Sequence, residues 1–146
     1  MGNICIDPCL KQQTNDMKLY QLNGYYRAKV VDVYDGDTIT IVLYNKGSYQ
    51  KYKLRMYGYD SAELKPRLNI KNRNKIIKKA EAAKMFLSNM VLNHIVDFES
   101  FGFDKYGRLL GEIFINKDDE KSVNQMMIDE EYGYQYGGGT KKKFQF

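Results

Sequence analysis

The stretch YRAKVVDVYDGDTITIVLYNKGSYQKYKLRMY, residues 26–57, decides the fold of this chain. Three runs that are rich in β-branched residues, or that alternate between apolar and polar ones, predict strands over 26–33, 38–43 and 49–57. The turn sequences Asp35-Gly36 and Asn45-Lys46-Gly47 separate these runs. Strands joined by such short turns form an antiparallel meander, which is the usual opening of a small barrel.

The rest of the chain supplies what a barrel still needs. Apolar residues at three- and four-residue spacings predict a helix over 75–93, and further patterns predict strands over 95–103 and 109–115 and a short helix over 123–131. This order is typical of an OB-fold, which has a helix between its third and fourth strands. We therefore expect an α+β, mainly β protein: a five-stranded OB-fold barrel with that helix and a short C-terminal helix.

The two ends of the chain differ from the predicted barrel in composition. Residues 1–24 form a polar leader, residues 25–136 the folded domain, and residues 137–146 a tail rich in glycine and lysine. The domain contains neither cysteine, since Cys5 and Cys9 both lie in the leader. The sequence has no secretory signal and no apolar stretch of membrane-spanning length, so we expect a reduced, intracellular protein.

Composition narrows the class of partner. An apolar fraction of 43% is ample for a packed core, which excludes a chain that is disordered throughout. The net charge of +5 favours an acidic partner, of which nucleic acid is the most obvious candidate. We expect a monomer.

The start of the chain resembles a dual lipidation signal. Gly2 would be myristoylated after removal of Met1, and Cys5 would be palmitoylated, which together could anchor the protein to a membrane. Ile6 stands where such signals carry Ser or Thr, so an unmodified N-terminus remains the alternative.

Three carboxylates follow predicted strand ends or turns. Asp37 closes the first turn, while Asp60 and Glu63 come just after the third strand. If the second and third strands pair, Asp37, Asp60 and the backbone carbonyl of Ser61 form an all-oxygen site suited to Ca²⁺. The alternatives are a plain turn at residues 35–38 and a helix cap at residues 60–63.

Two arginines lie close to these carboxylates along the predicted strands. Arg55 lies inside the third strand, and Arg108 begins the fifth strand after the turn at residues 104–107. An arginine within a strand needs a carboxylate partner or an anionic ligand. The pair could clamp phosphate oxygens, or each could simply form an ion pair with a carboxylate.

These motifs resemble the staphylococcal-nuclease-like, or thermonuclease, family. The residues that carry the resemblance are Asp35-Gly36-Asp37-Thr38, Arg55 with Asp60-Ser61-Ala62-Glu63, and Asp104-Lys105-Tyr106-Gly107-Arg108. It covers roughly residues 26–136 and implies a calcium-dependent nuclease that cuts DNA and RNA with little sequence preference and leaves 3′-phosphate ends.

The resemblance also implies roles for individual residues. Asp37, Asp60 and the Ser61 carbonyl would be Ca²⁺ ligands, and Glu63 would position or deprotonate the attacking water. Arg55 and Arg108 would bind the scissile phosphate and stabilise its developing charge. Lys105 and Tyr106 would contact a neighbouring phosphate.

The sequence departs from the family pattern in four places, one of which is a longer basic loop after Glu63. Ser61-Ala62 replaces the common Thr-Pro, the chain stops before a third helix, and the tyrosines of the base pocket have only candidate matches in Tyr132, Tyr134 and Tyr136. Two other functions stay open: an OB-fold module that binds nucleic acid without cutting it, and a membrane-tethered interaction protein. Three carboxylates with two strand arginines favour the enzyme.

Overall fold

The computed structural model describes residues 8–142 and has a closed five-stranded barrel at its centre. The elements in chain order are β1 (Asn23–Val33), β2 (Thr38–Asn45), β3 (Ser48–Met56), β4 (Tyr59–Ser61), α1 (Arg73–Val91), β5 (Ile95–Phe103), β6 (Leu109–Phe114), α2 (Val123–Asp129) and β7 (Gly133–Gln135). Around the barrel the order is β1-β2-β3-β6-β5, and β5 closes it by pairing with β1. The pairing is antiparallel except between β3 and β6, which are parallel.

The barrel interior follows the two-residue period of the strands. Ile39, Ile41 and Leu43 alternate along β2 and are no more than 2% exposed, as is Leu54 opposite Ile39. Helix α1 contributes its buried face through Ala80, Ala83, Leu87 and Val91, which recur at three- and four-residue spacings. One apolar core therefore holds the helix against the strands.

The turn between β1 and β2 lies close to both α1 and β4. A Cβ atom on Gly36 would come within 2.7 Å of the Ala83 Cβ and 2.9 Å of the Ser61 Cβ. Only glycine leaves room for this approach, which brings the turn beside β4. The buried Tyr59 hydroxyl donates a hydrogen bond of 2.7 Å to the Gly36 carbonyl and fixes the turn there.

The predicted fold class is confirmed, with small shifts at the ends of the elements. Helix α1 begins and ends two residues earlier than predicted, because Leu92 is already extended and Asn93 adopts a left-handed conformation with φ of 63°. The Asn93 N–H then donates to the Val30 carbonyl, which attaches the helix end to β1. The alternative of a helix cap at residues 60–63 is wrong, since Asp60 and Ser61 belong to a strand and α1 begins at Arg73.

Two short strands were missed by the sequence reasoning. β4 and β7 each have three residues and pair antiparallel, with Asp60 opposite Tyr134. Such short strands carry no measurable period. The end of the predicted leader also joins the core, because Leu22 is 2% exposed and its carbonyl accepts a hydrogen bond from Ser100 Oγ.

The described residues contain no helix that is long and apolar enough to cross a membrane. The candidate lipidation sites Gly2 and Cys5 lie outside the described residues. Cys9 lies within them and is exposed.

Candidate active site

A cavity of about 660 Å³ opens where the β1–β2 turn, β4 and the β5–β6 turn meet. Every candidate metal, catalytic and substrate residue from the sequence lines this cavity: Asp37, Arg55, Asp60, Ser61, Glu63, Lys105, Tyr106 and Arg108. Tyr34, Asp35, Tyr136 and Lys141 line it as well. The fold thus brings together residues from five separate parts of the chain.

Arg55 joins the two candidate metal-binding aspartates. Its Nη2 donates to Asp60 Oδ1 at 2.8 Å, and its Nη1 lies 3.4 Å from Asp37 Oδ1. Nη1 also donates to the Met56 carbonyl at 2.9 Å. The side chain is only 13% exposed, so this guanidinium neutralises two buried carboxylates at once. The alternative of a structural ion pair for Arg55 is therefore realised in this structure.

Ser61 fixes the orientation of the Asp37 carboxylate. Its backbone N–H and its hydroxyl each donate to Asp37 Oδ2 at 2.9 Å, while Thr38 Oγ1 donates to Asp37 Oδ1 at 3.0 Å. The hydroxyl contact is a role that the sequence analysis did not assign to Ser61. The proposed use of the Ser61 carbonyl as a metal ligand stays a prediction.

Tyr134 holds the Asp60 carboxylate from the other side. β7 places it opposite Asp60, and its hydroxyl donates to Asp60 Oδ2 at 3.0 Å. Burial and this hydrogen bond to a carboxylate raise the pKa of Tyr134 to about 12, so the hydroxyl stays protonated and continues to donate. Among the three tyrosines considered for a base pocket, Tyr136 lines the cavity, whereas Tyr132 stacks on Phe86 with 4.6 Å between ring centroids.

Asp35 adds a carboxyl group beside Asp37. Its Oδ1 accepts a hydrogen bond of 3.0 Å from the Asp37 backbone N–H. Burial, followed by the negative charge of Asp37, raises the pKa of Asp35 to about 6. Burial, with the charge of Asp37 as the second cause, therefore disfavours ionisation of Asp35.

Lys141 brings a positive charge from the tail into the same cavity. Its Nζ lies 3.3 Å from Asp60 Oδ2 and 3.6 Å from Glu63 Oε1. Burial would lower the pKa of Lys141, but the charges of Asp60, Glu63 and Asp37 and a hydrogen bond to Asp60 raise it overall. The ammonium group thus occupies a position to which these carboxylates attract a cation.

Arg108 is held by the turn that precedes it. Asp104 accepts hydrogen bonds from the Tyr106 and Arg108 N–H groups at 2.8 and 2.9 Å, and its Oδ2 accepts from Arg108 Nε at 2.8 Å. Burial alone would raise the pKa of Asp104, but these hydrogen bonds lower it overall. Within residues 8–142 the two terminal nitrogens of Arg108 have no hydrogen bond or ion pair, so they are available to an anion.

Lys105 and Tyr106 form the outer rim beside Arg108. Tyr106 is 72% exposed, and the Arg108 Cζ lies 5.5 Å from its ring centroid. Lys105 Nζ lies 5.1 Å from the same centroid. This rim presents two positive charges and an aromatic surface to whatever enters the cavity.

The donor atoms in the cavity match the chemistry of a hard divalent cation. In the part of the chain that the structure describes, no group of three or more His, Cys, Asp and Glu side chains could hold a metal by itself. Two aspartates and a backbone carbonyl would therefore need water or substrate oxygens to complete the coordination shell, which Ca²⁺ and Mg²⁺ accept. In this structure the positive charges beside Asp60 are those of Arg55 and Lys141.

Comparison with known proteins gives a family and a relative. Residues 53–144 match the family model described as "Staphylococcal nuclease homologue". The chain is also similar to an uncharacterized protein of Methanocaldococcus jannaschii, with 33% identity over 128 residues that cover 75% of this chain and 58% of that protein. The chain therefore spans little more than half the length of this relative.

Proposed function

This chain belongs to the staphylococcal nuclease homologue family, and from that premise we propose that it is a calcium-dependent nuclease. It would hydrolyse phosphodiester bonds in DNA and RNA with little sequence preference and leave 3′-phosphate ends. The observation that carries the proposal is the convergence of Asp37, Asp60, Glu63, Arg55 and Arg108 on one cavity. A metal-assisted hydrolase needs these three kinds of group: carboxylates for the cation, a group that positions water, and guanidinium groups for phosphate.

The metal would be held by Asp37, Asp60 and the Ser61 carbonyl. The contacts from Ser61 to Asp37 and from Tyr134 to Asp60 support this, since they hold both carboxylates in fixed orientations. A bound calcium ion would neutralise charge on the phosphoryl oxygens and bind a water molecule. Glu63 would orient that water or accept its proton, and its 59% exposure leaves it free to move.

The two arginines would divide the work on the phosphate. Arg108 can offer both terminal nitrogens to one phosphate in a bidentate contact, because only its Nε is used by Asp104. Arg55 is buried between the aspartates, where it would set the spacing of the two metal ligands. It would also stabilise charge on the scissile phosphate. Lys105 and Tyr106 would contact the next phosphate along the strand.

A second candidate function is a nucleic-acid-binding module without catalysis. The observation in its favour is that Arg55 and Lys141 already pair with the carboxylates of the site. In that case nucleic acid would bind at Lys105, Tyr106 and neighbouring basic residues, and no cation would be required.

Digestion of single-stranded DNA and RNA separates the two candidates. We expect cleavage with Ca²⁺, none with EDTA, and a loss of at least about a hundredfold in Asp37→Ala or Arg108→Ala. Arg27→Ala is the matched control, since Arg27 lies outside the cavity in an exposed ion pair with Asp97. A polymerase should extend the 3′ ends of the DNA products only after phosphatase treatment, because a 3′-phosphate blocks extension. Binding without cleavage under all conditions would refute the nuclease.

A further inference from the structure

The outer face of the β2–β3 hairpin leads to the cavity, and most of its exposed side chains are on β3. Directly paired residues share a face, and the pairs on the outer side are Thr38 with Arg55, Thr40 with Lys53, Val42 with Lys51 and Tyr44 with Tyr49. The intervening pairs, such as Ile39 with Leu54, point into the core. Arg55 is thus the inner end of a row of outward side chains on β3 that continues through Lys53 and Lys51 to Tyr49.

This face carries aromatic and positive side chains together. Tyr44 and Tyr49 are 63% and 79% exposed, and their rings meet edge to face with 5.2 Å between centroids. Lys51 and Lys53 are both exposed. Lys53 Nζ also lies 5.8 Å from the ring centroid of Tyr34, which is 51% exposed. We call Tyr34, Tyr44, Tyr49, Lys51 and Lys53 the β2–β3 track.

The track is continuous with the cavity. Tyr34 and Lys53 line the cavity themselves, so no wall separates the track from Arg55. The six residue-to-residue steps from Tyr49 to Arg55 span about 20 Å in an extended strand. That length is comparable with the shortest single-strand sites on OB-folds, which hold about four nucleotides.

We propose that the β2–β3 track is a binding site for single-stranded nucleic acid that guides a strand into the cavity. Lysines spaced two residues apart meet successive phosphates, while exposed tyrosines offer faces on which unpaired bases can stack. A duplex keeps its bases stacked on each other, so the tyrosine pair favours a single strand. The inference deepens the proposed nuclease function and rests on it for the direction of the strand into the site.

One carboxylate on β1 lies in the same cross-strand row as Lys53 but is not its direct neighbour. Asp32 of β1 lies opposite Thr40, so Thr40 stands between it and Lys53 in the row across the sheet. In the next row Lys29 of β1 lies opposite Val42, whose other neighbour is Lys51. The second row therefore adds a positive charge on the far side of Val42.

The test is equilibrium binding of a fluorescent twelve-nucleotide single strand to the full chain in EDTA, where a metal-dependent enzyme does not cut. The double variant Lys51→Gln/Lys53→Gln should bind about tenfold more weakly, and the slope of log Kd against log salt should fall by about 1.4, the value for two phosphate contacts on a single strand. The matched control is Lys78→Gln/Lys117→Gln, which removes the same charge from exposed positions outside the cavity.

A second pair of variants tests the aromatic part of the track. Tyr49→Ala should weaken binding about fivefold or more, as expected for the loss of one stacked base. Tyr25→Ala is its control, because Tyr25 is 76% exposed but lies on β1 opposite Glu99 of β5, away from the track. Thermal unfolding of each variant checks that the barrel stays folded.

The outcomes distinguish the track from the nuclease function. If the track variants bind as their controls do, the track is wrong, whether or not the protein cuts DNA. If the protein never cuts but the track variants lose binding, the nuclease proposal fails and the track stands. If the track variants lose more binding to vesicles that contain phosphatidylserine than to the oligonucleotide, this face binds a membrane surface and the proposal is wrong.

Discussion

Replacing Arg55 by alanine tests whether one guanidinium holds the candidate site together. The change removes the ion pairs to Asp60 at 2.8 Å and to Asp37 at 3.4 Å, together with the hydrogen bond to the Met56 carbonyl. The two aspartate side chains are only 4% and 9% exposed, so water cannot replace the lost positive charge. Removing one partner of a buried ion pair typically costs about 3–5 kcal/mol.

We expect a value near the lower end of this range. Ser61 and Thr38 still donate to Asp37, and Tyr134 and Lys141 still contact Asp60, so neither carboxylate is left without a partner. The free energy of unfolding should therefore fall by about 3 kcal/mol, and the melting temperature by about 10 °C for a chain of this length. Adding Ca²⁺ should narrow the difference, because a cation bound to Asp37 and Asp60 replaces the lost positive charge and so stabilises the variant more than the wild type.

The assay is urea unfolding of the full chain in EDTA and in Ca²⁺, followed by circular dichroism. Arg27→Ala is the control, since Arg27 also pairs with an aspartate on the barrel but is 67% exposed, and such surface pairs contribute about 0–1 kcal/mol. Equal losses of stability in the two variants would refute the reasoning. They would mean that Asp37 and Asp60 need no buried counter-charge.

Three further predictions concern the surroundings of the site. Lys141→Met should raise the affinity for Ca²⁺ about three- to fivefold, because Ca²⁺ no longer competes with an ammonium group 3.3 Å from Asp60. Calorimetry measures this affinity. The control variant Lys142→Met removes the same charge from the neighbouring residue and should change the affinity less. Gly36→Ala should destabilise the fold by about 1–3 kcal/mol, because the new Cβ meets Ala83 at 2.7 Å, whereas Gly137→Ala has open space and should be nearly neutral in urea unfolding. The pKa of Asp104 is lowered in the folded state, so its contribution to stability is present above its ordinary pKa of 3.8 and disappears as the pH falls through the lowered value. The difference in unfolding free energy between the wild type and Asp104→Asn should therefore be larger at pH 7 than at pH 3. A constant difference would contradict a stabilising role for the hydrogen bonds from Arg108 to Asp104.

The fold was predictable because its largest elements are long and locally patterned. The apolar residues alternate along β2 and β3 and recur at three- and four-residue spacings along α1, which are the periods of a strand and of a helix. The turn residues between the strands then fixed the meander. For the same reason, Asp37, Asp60 and Arg108 were visible at strand ends or next to turns, and Arg55 inside a strand. The pairing of the second and third strands then predicted that Asp37 and Asp60 meet at one edge of the barrel.

The missed contacts come from pairings that no local pattern announces. β4 and β7 have three residues each, and the contact from Tyr134 to Asp60 spans 74 residues along the chain. The position of Lys141 depends on this pairing, since β7 brings the chain back beside Asp60 before the tail begins. A sequence pattern records which residue types follow one another, and it does not record which distant segments meet.

The sequence by itself determined the barrel, the family and the set of chemical groups at the site, because these depend on local periodicity and on short motifs. Only the tertiary structure decided how these groups are satisfied. It placed Arg55 between two buried carboxylates, turned the Ser61 hydroxyl to Asp37, and brought Tyr134 and Lys141 to Asp60. The physical reason is that a buried charge takes whichever partners the packed chain brings within hydrogen-bonding distance, and that choice is made by the whole fold.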